Sequence, residues 1–364
     1  MRALCLLLLL GLCACAQIPS KPPLAIKVVV VTMFEIGDDE GDRPGEFQLW
    51  KARQGLSKRY PFANSHHDIY VNEETGVMGI VTGMGTAKAT AALMALGLDA
   101  RFDLTNAYWL VAGIAGVDPY DASIGSAVWA KWLVDGDLAH QIDSREIPEH
   151  WRSGYFPLFA DKPIQPNQIV DAAQIAQSHS TNGEVYRLNS SLSDWAFALT
   201  KDTVLLDTPK MAAFRARYVG YPNAQRAPFV LQGEQLAAST FWHGEKLNQW
   251  ANDWTYYWTG GTGNFVTSGM EDTGSYQSIL YLDKIQRADK DRFMVLRTAS
   301  NYSMPYPGLS AADNLASESG DAGFIGMQSA LESAYTVGAI VVDEIVENWD
   351  VYRDEIPSPS VTSK

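Results

Sequence analysis

The sequence predicts an α/β fold, a three-layer αβα sandwich around a mostly parallel central sheet. Residues 26–34, IKVVVVTMF, form an uninterrupted β-branched run, which is typical of a strand buried on both faces of a parallel sheet. Segments of this kind alternate along the chain with stretches of helical periodicity. The chain has 364 residues, 46% of them hydrophobic and 19% charged, so it is long and apolar enough to bury such a core.

The first element is an export signal. Residues 1–17, MRALCLLLLLGLCACAQ, combine a basic start, a leucine-rich stretch too short to span a bilayer, and small residues after it. The LCAC run resembles a bacterial lipobox, which predicts that residues 1–15 are a lipoprotein-type signal peptide and that Cys15 is lipidated. Ordinary cleavage after the Ala-Cys-Ala sequence at 14–16 is the alternative. We expect an exported periplasmic or cell-envelope lipoprotein, held to the membrane by its lipid through a proline-rich linker at 16–25.

The remaining strands and helices alternate in order along the chain. After the first strand, further strands are predicted within residues 75–83, 107–114, 126–134, 203–207, 227–233, 264–270 and 292–300. Helices are predicted at 46–58, 86–101, 168–178, 243–252, 272–286 and 322–349. The last is the clearest, because its apolar residues recur at steps of three and four.

These elements predict a single domain over residues 26–352, followed by a flexible tail at 353–364. The less regular residues 141–230 are interpreted as an elaboration over the sheet. A net charge of −14 repels phosphate backbones, so nucleic-acid binding is not expected. Outside the first residues, no stretch approaches the eighteen consecutive apolar residues that a membrane-spanning helix needs.

Two predicted strands end in short segments rich in glycine and alanine residues. The segment TGMGTAKAT places Gly83 and Gly85 before a helix, and WLVAGIAGVD carries four small residues within positions 112–116. In open α/β sheets, ligands bind beyond the carboxyl ends of the strands, so bare backbone there predicts a binding site. A tight turn at Gly83–Gly85 and close helix–strand packing at 112–116 are the structural alternatives.

Polar and aromatic residues follow other strands at the same predicted edge. The acidic loop after the first strand holds Glu35 and Glu46, and a later strand ends in Ser300 and Asn301, whose amide can both donate and accept hydrogen bonds. Glu271 begins a helix, where a carboxylate can accept bonds from vicinal hydroxyls or simply serve the helix terminus. Phe241 and Trp242 either stack on a flat heterocycle or belong to the core.

The sequence lacks the residue patterns that several kinds of catalysis require. The six histidines are scattered without an HExxH pattern, so no metal site is expected. All three cysteines lie within the first fifteen residues, which excludes a later cysteine nucleophile or disulfide. No GxSxG motif supports a serine hydrolase.

In order and spacing, these segments resemble the purine nucleoside permease family, whose fold is similar to that of nucleoside phosphorylases and methylthioadenosine-type nucleosidases. The resemblance covers about residues 26–350. It is carried by VVVVTMFE…PGEFQLW, VTGMGTAKATAAL, WLVAGIAGVDP, GSAVWAKWLVDGDLAHQID, GEQLAASTFWHG, GNFVTSGMEDTG and VLRTASNYSMPYPG.

The resemblance implies a purine nucleoside site with no organic cofactor. Glu271 would hold the ribose hydroxyls, Asn301 would support the leaving base near N7, and Glu46 or Glu35 would orient a water molecule or lie beside phosphate. The remaining implied substrate-binding residues are Gly83, Met84, Gly85 and Thr86 at the turn; Gly113, Ile114, Ala115 and Gly116 along the pocket; Phe241 and Trp242 near the base; and Met270 and Asp272 beside Glu271.

Two departures from the relatives shape the prediction. Nucleosidase relatives carry Asp at the position of Asn301, and the change to Asn favours inosine- or guanosine-like purines. Phosphorylase relatives place Arg beside the glycine strand, where this chain has Leu110 and Val111, so inorganic phosphate as a co-substrate is left open.

Three functions therefore remain open: nucleoside cleavage at the cell envelope, nucleoside capture that feeds a separate transporter, and a carbohydrate-binding or structural lipoprotein that keeps the fold without nucleosides. Relatives of this fold are often oligomers, which implies homo-oligomerisation by analogy alone.

Overall fold

The computed structural model describes residues 22–318 and 323–359. Its strands are β1 Leu24–Ala25, β2 Val28–Thr32, β3 Lys58–Tyr60, β4 Ile69–Asn72, β5 Val77–Val81, β6 Phe102–Asp103, β7 Tyr108–Val117, β8 Ala127–Trp129, β9 Trp132–Asp135, β10 His140–Gln141, β11 Tyr155–Phe156, β12 Val185–Arg187, β13 Val230–Gln232, β14 Glu234–Ala237, β15 Phe265–Gly269 and β16 Phe293–Tyr302. Its α-helices are α1 Gln48–Arg53, α2 Thr86–Gly97, α3 Ala172–Gln177, α4 Ser190–Thr200, α5 Pro209–Arg215, α6 Glu245–Trp258, α7 Asp272–Lys284, α8 Ala311–Glu318, α9 Gly323–Glu347 and α10 Trp349–Tyr352.

A twelve-stranded mixed sheet forms the centre of the molecule. Its path runs β12-β9-β14-β15-β7-β2-β5-β4-β3, with β16 paired to both β7 and β8, and β13 paired to β8. The pairs β5-β2, β2-β7 and β7-β16 are parallel, whereas β15 joins β7 in the antiparallel sense. The predicted α/β sandwich is confirmed, and its sheet contains more antiparallel pairs than the sequence indicated.

Helices cover both faces of the sheet because successive strand residues point to opposite sides. On one face, Val29 and Val31 pack with Leu93 of α2 and Ile279 of α7. On the other face, Val28 and Val30 belong to a second cluster with Val337 and Val341 of α9, together with other residues. These two apolar layers hold the central strands and fix where their carboxyl ends emerge.

The sheet forks along β7. β2 pairs with residues 108–111 of β7, and β15 takes the same edge of β7 only at residues 116 and 117. β16 runs along the opposite edge over residues 109–117. Residues 112–115 of β7 therefore face an opening between β2 and β15, and we call this opening the fork.

Several predicted elements change. Residues 203–207 form no strand, and the run at 126–134 is split into β8 and β9. The elaboration at 141–230 contains α4, which packs Leu192 and Ala196 into the second core cluster. Leu24–Ala25, at the end of the predicted linker, pairs with Phe102–Asp103. Ile356, in the predicted tail, packs against the second core cluster. The predicted signal peptide and Cys15 lie outside the described residues.

Within the described ranges, no helix combines the length and the apolar character required to cross a membrane.

Candidate functional site

Side chains, instead of a neighbouring strand, satisfy the backbone of β7 at the fork. The Ile114 N–H donates to Oε1 of Glu46 at 2.8 Å, and the Ile114 carbonyl accepts from Nη1 of Arg297 at 3.0 Å. Oε2 of Glu46 accepts the N–H of Met33, just beyond β2, at 2.7 Å. Glu46 thus bridges the end of β2 to β7, as a missing stretch of strand would do.

Arg297 is the centre of a buried ionic cluster. Its Nε and Nη2 bond to the two oxygens of Asp272 at 3.0 and 2.9 Å, and Nη2 also contacts Oε2 of Glu271 at 2.9 Å. The exposed fractions are 2% for Arg297, 0% for Asp272 and 3% for Glu271. Burial opposes ionisation of the guanidinium, but Asp272 and then Glu271 raise the pKa of Arg297, so it stays charged.

Two glycines leave room for the side chain of Arg297 because they carry no Cβ atom. A Cβ on Gly113 would overlap the terminal methyl group of Met33 and lie 2.7 Å from Oε1 of Glu46 and 2.9 Å from Nη1 of Arg297, and a Cβ on Gly269 would lie 2.8 Å from Cζ of Arg297. The predicted bare backbone at Gly113 is therefore covered by the protein's own side chains, those of Met33, Glu46 and Arg297.

Glu46 carries a perturbed carboxyl group. Burial raises its pKa to about 8, Arg297 counteracts this, and the nearby Glu271 reinforces it. Glu46 is 5% exposed and comes directly before the α1 segment. A carboxyl group with a pKa of about 8, held against the backbone of β7, has the properties of a general acid or base.

Glu271 links the cluster to the glycine turn. Its Oε1 accepts the N–H of Gly85 at 2.9 Å, and its Oε2 accepts the N–H of Met270 at 3.2 Å. The next N–H in the turn, that of Thr86, donates to Oγ of Ser239 at 3.2 Å. These two turn N–H groups, part of the bare backbone that the sequence predicted to form a binding site, are thus engaged by protein oxygens. Met84 at the crest of the turn is 58% exposed.

Asn301 lies at the other end of the same β7 segment. The pairing of β16 with β7 shifts by one residue between Ala299 and Asn301, so that Asn301 stands opposite Gly116. A Cβ on Gly116 would lie 2.8 Å from Oγ of Ser268 and 3.4 Å from Nδ2 of Asn301. The fork thus brings Glu46 and the Arg297 cluster to one end of residues 114–116, and Asn301 to the other end.

A second perturbed carboxyl group contacts Asn301. Oε2 of Glu318, the last residue of α8, lies 3.4 Å from Nδ2 of Asn301, and its Oε1 accepts from Nδ2 of Asn314 at 2.7 Å. Burial raises the pKa of Glu318 to about 7, although the bond from Asn314 opposes the shift.

The loop 239–244 spans the same region. Its first residue, Ser239, contacts Thr86, and the N–H of Gly244 donates to the carbonyl of Ser303, two residues after Asn301. Phe241 is 54% exposed on this loop. Trp242 instead packs near Trp250 and Phe265, with ring centroids 6.0 and 5.7 Å away, so its contacts are those of a core residue.

Glu35 has its oxygens committed elsewhere. Oε2 accepts the N–H groups of Phe47 and Gln48 at 2.9 and 2.7 Å, at the start of α1, and Oε1 accepts those of Ile36 and Gly45. These bonds fold the acidic loop back onto the helix. Of the two acids that the sequence offered for the water, only Glu46 bonds to the backbone of β7 at the fork.

Sequence reasoning missed Arg297 and Glu318. A signal for Arg297 was present, because a guanidinium in the middle of the apolar run at 292–300 requires a buried partner. For Glu318 the sequence offered no comparable signal, since it stands seventeen residues after Asn301 on a separate helix.

Similarity to known proteins was found in three comparisons. Residues 25–357 match the family model described as purine nucleoside permease (NUP). A probable purine nucleoside permease of Schizosaccharomyces pombe is 30% identical over 340 residues, covering 90% of this chain and 90% of that protein. A purine nucleoside permease of Candida albicans is 30% identical over 347 residues, covering 93% of this chain and 80% of that protein.

Among solved structures, a 5'-methylthioadenosine/S-adenosylhomocysteine nucleosidase of Neisseria meningitidis, in complex with methylthio-immucillin-A, is 14% identical with a TM-score of 0.46. The match covers 88% of this chain and 99% of that chain. Futalosine hydrolase of Helicobacter pylori is 12% identical with a TM-score of 0.48, covering 88% of this chain and 98% of the other.

Proposed function

The chain belongs to the purine nucleoside permease family, as its motifs predicted, and from this premise we propose that it binds a purine nucleoside at the fork and hydrolyses its N-glycosidic bond. The observation that carries the proposal is the pair of buried carboxyl groups, Glu46 and Glu271, held around Arg297 beside the β7 segment that also meets Asn301. N-glycosidic cleavage requires a grip on the sugar, a poised nucleophile and support for the leaving base.

Glu271 has the contacts of a sugar-binding residue. Its position is fixed by the N–H of Gly85 and by Arg297, and Oε1, which carries one of these bonds, can accept another from a ribose hydroxyl. A carboxylate that is already oriented loses little side-chain freedom when the ligand binds.

Glu46 is the proposed general base. A water oxygen attacks C1′ of the ribose, the C1′–N9 bond breaks with its electrons moving to the purine, and the water proton passes to ionised Glu46. The purine, stabilised by a hydrogen bond from Asn301 to N7, takes its proton from solvent, and the products are ribose and the free base. With a pKa of about 8, Glu46 is ionised in only a minor fraction at pH 7, so we expect the rate to rise towards pH 8.

Water suits this cluster better than phosphate as the second substrate. Arg297 is shared between the carboxylates of Asp272 and Glu271, so its guanidinium is not a free fork for an anion. The excess of carboxylate over guanidinium charge at this place also opposes the approach of phosphate.

The test is a product assay on the purified full-length protein with inosine, with and without inorganic phosphate. We expect hypoxanthine and ribose in both cases. Glu46→Gln should lower kcat by about 10²–10⁴-fold while inosine still binds, as a lost general base does. Glu271→Gln should weaken binding. The matched control is Glu40→Gln, because Glu40 lies in the same loop but pairs with Lys51 at the surface.

Three outcomes would contradict parts of the proposal. Formation of ribose 1-phosphate, with no cleavage in the absence of phosphate, would show that phosphate and not water is the nucleophile. Inosine binding without any hypoxanthine would leave a nucleoside-binding protein that feeds a separate transporter. Failure of inosine, guanosine and adenosine to bind would remove the nucleoside site altogether.

We also propose that the protein acts at the cell envelope, with Cys15 as a lipid attachment site. Metabolic labelling with a radiolabelled fatty acid should mark the full-length protein and not the Cys15→Ser variant. Labelling of both variants, or of neither, would contradict lipidation at Cys15.

A further inference from the structure

Asn301 has its hydrogen-bonding groups occupied in this structure. Its Nδ2 donates to Oε2 of Glu318 at 3.4 Å and to the carbonyl of Tyr302 at 3.3 Å. Its Oδ1 accepts from Oγ of Ser300 at 2.9 Å. An amide held in this way has no N–H left for the acceptor N7 of a purine, which is the contact that the proposed function requires of it.

The partners of an amide decide which of its ends faces which way, because its N and O ends have nearly the same shape. An ionised Glu318 can only accept, so it keeps Nδ2 of Asn301 turned towards itself. A protonated Glu318 can donate to Oδ1, which allows the amide to rotate and directs Nδ2 away from Glu318. Ser300 serves both orientations, since its hydroxyl can donate to the Ala115 carbonyl, 3.2 Å away, and accept from Nδ2.

We propose that Glu318 is a positioning residue that sets the orientation of the Asn301 amide and thereby couples purine binding to the uptake of one proton. The inference rests on the proposed function, because it assigns the N7 contact to Asn301. Asn314 anchors the other oxygen of Glu318 at 2.7 Å and is 1% exposed, so the carboxyl group is held against Asn301 from its own helix.

Among the described residues around it, Glu318 is the group that titrates at this place. Its pKa lies near 7 because it is buried. Tyr218, which interacts electrostatically with Glu318, stays neutral because burial raises its own pKa. His243 precedes Gly244, whose Cβ position is 3.4 Å from Ala311 at the start of α8, and burial lowers its pKa to about 4. Glu46, which lies with Arg297 at the other end of the fork, has a pKa of about 8. Its effect on binding must be distinguished from that of Glu318, and the choice of ligand does this.

The experiment measures the affinity for inosine and for 7-deazainosine, which lacks the N7 acceptor, at pH 6, 7 and 8, by stopped-flow tryptophan fluorescence recorded before the proposed hydrolysis consumes the ligand. For the unchanged protein we expect the affinity for inosine to fall about tenfold between pH 6 and pH 8, as uptake of one proton at a pKa near 7 requires. The affinity for 7-deazainosine should not show this loss, whereas a contribution from Glu46 would affect both ligands.

Glu318→Gln provides the second arm. The glutamine amide can donate to Oδ1 of Asn301 at every pH, so inosine should keep its pH 6 affinity up to pH 8. Glu318→Ala removes both the ionised acceptor and the protonated donor, so its affinity for inosine should not depend on pH and should lie below that of the unchanged protein at pH 6. Glu332→Gln is the control, because Glu332 pairs with Arg53 at the surface and should reproduce the unchanged protein. Near-ultraviolet circular dichroism confirms that each variant is folded.

A pH slope that persists in folded Glu318→Gln, or one that is equal for inosine and 7-deazainosine, would overturn the inference while leaving the nucleoside site in place. Absence of binding for both nucleosides at every pH would instead contradict the proposed function itself.

Discussion

Gly113 shows how one residue without a side chain serves the site. The guanidinium of Arg297 and the carboxyl group of Glu46 both approach within 3 Å of the position that a Cβ would take there. Both groups are buried and bonded to Ile114, so neither can withdraw without breaking a hydrogen bond. The methyl group of Met33 comes nearer still, so the glycine is required by the packing of all three side chains before any ligand arrives.

We expect Gly113→Ala to lower the free energy of unfolding by about 1–3 kcal/mol, the usual cost of forcing an extra carbon into a packed interior. Urea unfolding followed by tryptophan fluorescence measures this. The same variant should also lose nucleoside affinity, because Arg297 orients Glu271. An unchanged urea midpoint would mean that the cluster rearranges without cost and that the packing argument at Gly113 is wrong.

The sequence shows that small residues line β7, but it does not show which side chains pack over them. Gly113, Ala115 and Gly116 are recognisable because a strand end bare of side chains is visible in a single segment. Arg297 fills the space at Gly113 from a strand that begins 180 residues later, and no local pattern reports that pairing. Its occurrence within an apolar strand indicates a buried partner, yet it does not say which carboxylates provide it.

Among the elements, the acidic loop and α1 depend on one side chain. Glu35 accepts the N–H groups of Phe47 and Gln48, which have no acceptor within the first turn of a helix. We expect Glu35→Ala to lower the free energy of unfolding by about 0.5–2 kcal/mol, as the loss of a helix cap does. It should also make residues 36–44 more susceptible to limited proteolysis.

Urea unfolding and limited trypsin digestion, with cleavage at Arg43, measure these two effects. Glu40→Ala is the control from the same loop, and because the side chain of Glu40 is 76% exposed we expect stability close to that of the unchanged protein. Equal effects of the two substitutions would contradict the capping role of Glu35.

The elements that the sequence misplaced share a physical cause. Residues 126–134 read as one strand, but the chain is interrupted between β8 and β9, where Oε2 of Glu234 accepts the N–H groups of Lys131 and Trp132 at 3.0 and 2.6 Å. Residues 203–207 have strand-like composition, yet Val204 is 90% exposed and the segment pairs with no strand. The pattern of apolar residues indicates which side chains a segment could bury, but it does not indicate which neighbouring strand is available for pairing.

At the scale of the whole molecule, buried acids link stability to pH. Burial raises the pKa of Glu46 to about 8 and those of Glu234 and Glu318 to about 7. A carboxyl group whose pKa is higher in the folded than in the unfolded chain gives its full contribution below the unfolded value of 4.5, and the contribution is lost as the pH rises through the folded value. Stability should therefore decrease from about pH 5 to pH 8.

Differential scanning calorimetry at pH 5, 6.5 and 8 tests this expectation, with Tm falling as the pH rises. Glu46→Gln removes the group with the highest of these three pKa values, so its Tm should decline less between pH 6.5 and pH 8. A Tm that rises over this range, or a variant that keeps the full decline, would show that these acids are ionised in the folded protein.

The N–H of Ile114 is held by a carboxyl group that titrates, although it belongs to a central strand. Its exchange with deuterium should consequently respond to the protonation of that group, while neighbouring amides within the ladder respond to opening of the strand pairs. Isotope exchange at this one amide would thus give a built-in indicator of the state of Glu46, readable without substrate and without turnover.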